Sequence, residues 1–217
     1  MVKIGVFDSG VGGLSVANAI EKAMPDAEVI FVSDAAHVPY GTKTKQELIS
    51  LALPILKSLE TKDACDAVVV ACNTLTTNII NEVRAELDVP VIAIEPMVKP
   101  AAALTKTGVI AVCATPATLN SERYSQLKKE YASNIVVLEP DCANWALLIE
   151  KNKIDRKQIK ATVNDVISKS ADVIVLGCTH YHWIEEDIRK LAKGRAQIIQ
   201  PEQAIINRLI ETLKQLA

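Results

Sequence analysis

The sequence predicts two pseudo-symmetric α/β lobes, each with a mainly parallel sheet flanked by helices, and a functional site in the cleft between them. Two observations carry that prediction. Short, continuously apolar runs take turns with segments of helical period, which is the pattern of strands covered on both faces in parallel sheets. The pattern also occurs twice: Asp66 to Thr74 reads DAVVVACNT and Asp172 to His180 reads DVIVLGCTH, an offset of 106 residues. The same offset of 106 carries IGVFDSG (Ile4 to Gly10) onto IAVCATP (Ile110 to Pro116), and IFVSD (Ile30 to Asp34) onto VVLEP (Val136 to Pro140). Three segments in one register argue for internal duplication of an α/β unit.

The elements follow in order. Val2 to Phe7 reads as a buried strand, after which Gly10, Gly12 and Gly13 let the chain turn closely into a helix over about Leu14 to Lys22. Ala27 to Val32 is a strand, and Thr44 to Leu59 has helical spacing with Pro54 expected to kink or split it. Ala67 to Ala71 is the third strand, Thr76 to Leu87 a helix, and Val89 to Ile94 the fourth strand. Pro96 and Pro100 bracket a hinge, and the pattern restarts. Thr107 to Cys113, Ile135 to Leu138, Val173 to Leu176 and Ile198-Ile199 read as strands. Thr118 to Lys129, Trp145 to Lys151, Asp155 to Ser168, Ile184 to Ala192 and Ala204 to Leu216 read as helices. This places a first lobe at 1–97 and a second at 98–203, with the C-terminal helix 204–217 expected to return to the first lobe.

At 217 residues the chain is long enough for one large domain or two units of roughly 100 residues. A net charge of only -2, with no basic block, argues against a nucleic-acid partner. No run of 18 apolar residues and no signal-type segment occurs, so the expectation is a soluble cytoplasmic protein with no membrane partner. Five scattered cysteines, an odd number, read as reduced thiols and not as a disulfide framework.

In doubly wound sheets, ligands sit beyond the carboxyl ends of the strands, where helix N-termini converge. Asp8-Ser9, Cys72-Asn73-Thr74, Thr115 to Thr118 and Cys178-Thr179-His180 fall at such ends. A helix N-terminus or a cationic neighbour lowers a thiol's pKa from about 8.5. A lone cysteine after a strand is more often a small apolar filler, and Cys65, Cys113 and Cys142 keep that reading. Two in register, each followed by polar groups, reverse it for Cys72 and Cys178. His180, two residues beyond Cys178, is placed to hold or shuttle the thiol's proton, or else caps the turn. Asp8 is either a proton acceptor or an N-cap for the helix near Val11. Glu150 carries no local signal. DSGVGG lacks the lysine of a phosphate loop, Cys178 and His180 lack the further ligands of a metal site, and no GxSxG occurs.

IGVFDSGVGGLSV (4–16), DAAHVPYG (34–41), ACNT (71–74), TPATLNSERY (115–124) and GCTHY (177–181) together resemble the cofactor-independent glutamate racemases of the aspartate/glutamate racemase family, in order along almost the whole chain. The resemblance implies that Cys72 and Cys178 are the catalytic acid and base on opposite faces of the substrate carbon. It implies that Asp8 assists Cys72 and that His180 and Glu150 assist Cys178. Substrate contacts would come from Ser9, from Pro39, Tyr40 and Gly41, from Asn73 and Thr74, and from Thr115, Thr118 and Thr179. Neither a cofactor nor a metal is implied. A homodimer acting on a small acidic amino acid, and supplying D-glutamate for peptidoglycan, is. The chain departs from the family pattern by being shorter between Glu150 and Gly177 and at the C-terminus. Ala35 and His37 stand for threonine and arginine, His182 for a proline, and Gln200-Pro201 for an aspartate and a small hydroxyl residue. Racemisation of aspartate or another small amino acid is the nearest alternative reading. A non-catalytic amino-acid-binding or regulatory protein that kept the pocket is the alternative from a different class.

Overall fold

The computed structural model describes residues 1–216. Four parallel strands form each of two sheets: β1 (Lys3–Asp8), β2 (Glu28–Ser33), β3 (Ala67–Val70) and β4 (Val91–Ala93) in the order β2-β1-β3-β4, then β5 (Val109–Ala114), β6 (Val136–Leu138), β7 (Val173–Gly177) and β8 (Gln197–Ile199) in the order β6-β5-β7-β8. Both sheets therefore reverse direction between their two central strands, and the loops that leave those strands flank a crevice at the carboxyl edge. β3 and β7 are buried along their whole length, which is why the runs AVVV and VIVLG carry no polar alternation.

The repeat survives at the centre of each sheet and slips at its edge. Ile4 pairs with Ala67 and Ile110 with Val173, so both central strands keep the offset of 106. Gly5 pairs with Ile30, however, whereas its counterpart Ala111 pairs with Leu138, an offset of 108 for the edge strand. The sequence alignment of IFVSD with VVLEP is thus two residues out. A two-residue slip keeps every side chain on its own face of the sheet, so the core tolerates it.

Helices cover both faces: α1 (Leu14–Ala23), α2 (Lys45–Thr61), α3 (Asn73–Glu86) and α4 (Val98–Leu104), then α5 (Pro116–Leu119), α6 (Glu122–Tyr131), α7 (Trp145–Glu150), α8 (Arg156–Ser168), α9 (Glu185–Ala192) and α10 (Glu202–Leu216). Local chemistry sets several starts. Thr44 and Glu47 form a capping box for α2, Thr115 caps α5 ahead of Pro116, Ser121 caps α6 and Asp155 caps α8. The caps at Thr115 and Ser121 split the single helix expected over 118–129 into α5 and α6. Pro54 lies inside α2 without dividing it. The proline-bracketed hinge is partly helical, since Pro100 lies in the first turn of α4, where its missing N–H costs nothing.

The apolar faces form four clusters, one on each side of each sheet. Ile205, Ile206 and Leu209 of α10 are buried with Ile4, Val16, Ile20 and Ala67 of the first lobe. The C-terminal helix thereby crosses back from the second sheet and straps the two lobes together. Ala217, the last residue of the helix expected over 204–217, lies outside the described residues.

Candidate active site

Cys72 leaves β3 and stands immediately before α3; Cys178 leaves β7 and stands immediately before a short 3-10 turn, Thr179–Ile184. Both residues are extended, with φ of -138° and -151°, so each sulfur is offered at the strand end and not folded into a helix. The two thiols come from different lobes and line one cavity. That cavity is small, about 20 Å3, room for about one water. A wider groove of about 710 Å3 crosses the linker at Glu95, Pro96 and Met97, and shares no lining residue with this chemistry.

The thiols differ in their surroundings. Burial, then the nearby Asp8 carboxyl, pushes the Cys72 thiol well up, against the opposing pull of the Ser9 hydroxyl and the Leu75 N–H. Cys72 is therefore a protonated thiol, and its S–H donates to Ser9 Oγ at 3.6 Å. Cys178 Sγ lies 3.9 Å from His180 Nδ1, and Glu150 Oε2 lies 2.6 Å from His180 Nε2. Burial alone would lower the imidazole's pKa, but Cys178 and Glu150 raise it to about 11. The His180 bond holds Glu150 below the usual carboxylate range. Both shifts describe one imidazolium–carboxylate pair beside the second sulfur.

Two acids bridge the lobes. Asp8, at the end of β1, is fully buried; its Oδ2 accepts from Gly13 N at 2.7 Å and from Thr179 Oγ1 at 3.2 Å. Desolvation raises its pKa despite those bonds and the charge on His180. Asp8 is not an N-cap, since the turn at Val11–Gly13 and α1 start at Gly10 and Gly13 without a side-chain cap, and it reaches Cys72 through charge and not through a hydrogen bond. Glu150, on α7, also accepts from the Val11 N–H at 3.3 Å. The glycines of DSGVGG make this approach possible: a Cβ on Gly10 would stand 2.7 Å from Glu150 Oε2, and one on Gly12 2.5 Å from the His180 backbone nitrogen. Their role is to let the second lobe close in, not to cradle phosphate.

The opposite wall is made of hydroxyls. Thr74 Oγ1 lies 2.8 Å from Thr115 Oγ1, which donates to Thr118 Oγ1 at 3.1 Å. Tyr40 donates to Asp34 at 2.7 Å, fixing the Pro39-Tyr40-Gly41 segment, and Gly41 sits so close that a Cβ there would be 2.8 Å from the Thr115 Cβ. Both amide atoms of buried Asn73 lack a hydrogen-bond partner among the described residues, although the residue lines the cavity. No lysine or arginine is among the lining residues, so an anion there would meet hydroxyls, amides and the His180 cation.

Of the residues singled out from the sequence, the structure brings Ser9, Pro39, Tyr40, Gly41, Cys72, Asn73, Thr74, Thr115, Cys178, Thr179 and His180 to the cavity wall. Asp8, Glu150 and Thr118 stand one layer behind, each bonded to a wall residue. Val38 and Ala146 also line the wall without having been singled out. Val38 adjoins Pro39 and was within reach of inference; a small apolar Ala146 on α7 carries no signal. Asp34 was missed as the buried acceptor for Tyr40.

A two-lobed parallel α/β protein with a thiol from each lobe in one polar cleft defines a class, that of the racemases built on duplicated lobes. The chain belongs to the aspartate/glutamate/hydantoin racemase family, whose sequence profile matches residues 12–209. It is 36% identical over 211 residues to a glutamate racemase of Pseudomonas syringae, covering 95% of this chain and 76% of that one. An Escherichia coli glutamate racemase, solved with L-glutamate and an activator, superposes with a TM-score of 0.91 at 28% identity, over 98% of this chain and 82% of the other. A Francisella tularensis glutamate racemase with D-glutamate gives 0.82 at 29% identity, over 99% and 81%.

Proposed function

We propose that this protein interconverts L- and D-glutamate by a two-thiol acid/base mechanism. The observation that carries the reading is that Cys72 and Cys178, from opposite lobes, line one cavity. A single base does not reach both faces of a tetrahedral carbon; two facing groups do, one taking the α-proton as the other delivers one. Cys72, a protonated thiol, is the acid toward a carbanion formed from L-glutamate, with Cys178 as the base beside the His180 imidazolium that Glu150 holds. In the reverse direction the roles exchange, and Asp8 stands behind Cys72. The α-proton is weakly acidic, so charge developing on the substrate carboxylate must be met by Ser9, Asn73, Thr74, Thr115 and Thr179. The reaction calls for no cofactor. Glutamate is favoured over aspartate by the names of the relatives matched above. A cytoplasmic homodimer feeding D-glutamate to peptidoglycan is the matching biological setting.

The test is incubation of each enantiomer of glutamate and aspartate in deuterated water without pyridoxal phosphate, following chirality and α-deuterium together. Inversion with solvent label is expected for glutamate and little for aspartate. Replacing either Cys72 or Cys178 by alanine should slow inversion by about 1,000-fold or more. Label or inversion that persists after both are replaced overturns the two-thiol mechanism. No turnover of any acidic amino acid leaves a binding protein as the reading.

A further inference from the structure

His182 follows directly on the GCTHY string, and the structure gives it partners on two further elements. It lies in the same 3-10 turn as Thr179 and His180, with its side chain only 2% exposed. Its Nδ1 is 3.0 Å from Ser15 Oγ on α1 and 3.3 Å from Glu202 Oε1 in the first turn of α10. Ser15 Oγ in turn donates to the Gly12 carbonyl at 3.2 Å, and Gln200 Oε1 accepts from the Glu202 N–H at 2.8 Å. A carboxylate only accepts, so the imidazole carries its proton on Nδ1. Burial acts against an ionised Glu202, but hydrogen bonding led by the His182 ring N–H outweighs it and holds its pKa below the ordinary value. His182 Nε2 is buried without a partner among the described residues, so the ring is oriented from its Nδ1 side alone.

We propose, on the racemase reading above, that His182 is a positioning residue: with Ser15 and Glu202 it clamps the turn carrying Thr179 and His180, and so sets the alignment of the Cys178 half of the reaction. The seam it closes has no slack. Gly12, whose carbonyl belongs to the same chain of bonds, lies where even a Cβ would come within 2.5 Å of the His180 nitrogen. The turn has no side-chain cap at its own start; Tyr181 ties it to the Cys142 carbonyl within its own lobe, and Thr179 on Asp8, His180 on Glu150, and His182 on Ser15 and Glu202 tie it to other elements. The Cys72 half is built from α3, Ser9 and the threonine wall, whose side-chain hydrogen bonds run to one another, with Asp8 on Thr179 as its tie to the clamped turn.

Enantiomers have equal free energies, so any variant must lower kcat/KM in both directions by one factor; the isotope effects need not move together. In His182→Ala, kcat/KM should fall about tenfold. The kinetic isotope effect for α-deuterated L-glutamate, whose proton goes to Cys178, should rise, while that for α-deuterated D-glutamate falls toward unity. His182→Gln, which restores a donor to Glu202, should recover most of the rate and the original isotope effects. Glu202→Gln, partly exposed and tolerant of the change, should reproduce the His182→Ala asymmetry in smaller measure, which protects the test against a misfolded alanine variant. An active wild type whose two isotope effects stay put, or move together, in His182→Ala and Glu202→Gln overturns the clamp alone. A wild type inert toward both enantiomers overturns the clamp and the racemase reading together.

Discussion

At the scale of single residues, the site depends on groups whose protonation is set by burial, and two consequences can be measured. His180 is held charged with a pKa of about 11, against about 6.5 for a free imidazole. A raised folded-state pKa stabilises fully below the unfolded value and is lost as pH rises through the folded one, so this contribution should decline between about pH 6.5 and 11. Thermal melts of the wild type should therefore fall across that range, and His180→Gln should flatten the slope; an unchanged slope would mean the pair is neutral. Glycines offer the second test. Gly12→Ala forces a Cβ to 2.5 Å from the His180 backbone nitrogen, and should cost about 1–3 kcal/mol together with most of the turnover. Gly108 has φ of +74° with open space around its missing Cβ; Gly108→Ala should cost about 1–2 kcal/mol and leave turnover per folded molecule intact. Chemical denaturation paired with the racemisation assay separates the two.

At the scale of elements, packing decides what local pattern leaves open. α10 is the clearest case, because it belongs by sequence order to the second lobe and buries its apolar side on the first. Leu209, with no exposed surface, should cost about 2–5 kcal/mol on truncation to alanine, read from the urea midpoint, whereas exposed Leu104 on α4 should shift it little. The strands were legible because runs such as Ala67–Val70 and Val173–Gly177 have no polar face to misread. The two cysteine-bearing ends were legible for the same reason, as polar residues set directly after such runs. What the sequence hid is of two kinds. The edge-strand offset of 108 is invisible because a slip of two leaves the hydrophobic alternation unchanged. Glu150 and Ala146 sit on a six-residue helix whose inward face is fixed by Trp145 meeting Tyr181 edge to face and by Tyr181 holding the Cys142 carbonyl at 2.8 Å, contacts no periodicity encodes. Glu150 was reached only through resemblance to a family.

For the whole molecule, a cavity of about 20 Å3 is far too small for an amino acid, so substrate access requires the lobes to part along one of the two seams that close it. The seams are unlike. One joins Gly10 to Ser15 with Glu150, Thr179 to His182 and Glu202, and it contains the buried His180–Glu150 charge pair, the His182–Glu202 contact and the Asp8–Thr179 bond. Opening it would pull the His180–Glu150 pair apart out of water, which costs several kcal/mol when the charges are left unmatched. The other joins Tyr40-Gly41, Thr74 and Asn78 to the stretch from Thr115 to Thr118 through neutral hydroxyl and amide contacts, including Asn78 Nδ2 to the Ala117 carbonyl at 3.3 Å. Neutral hydrogen bonds exchanged for water contribute only about 0.5–1.5 kcal/mol each, so this is the seam that opens, with the ionic seam as the pivot. Amide hydrogen exchange read by mass spectrometry tests it. Peptides spanning Tyr40–Thr44 and Pro116–Asn120 should exchange faster than those spanning Val11–Ser15 and Thr179–Ile184, and saturating D-glutamate should slow the first pair far more than the second. Faster exchange in the ionic seam, with protection by the ligand confined there, would place the door on the other side of the thiols and make the hydroxyl wall the fixed one.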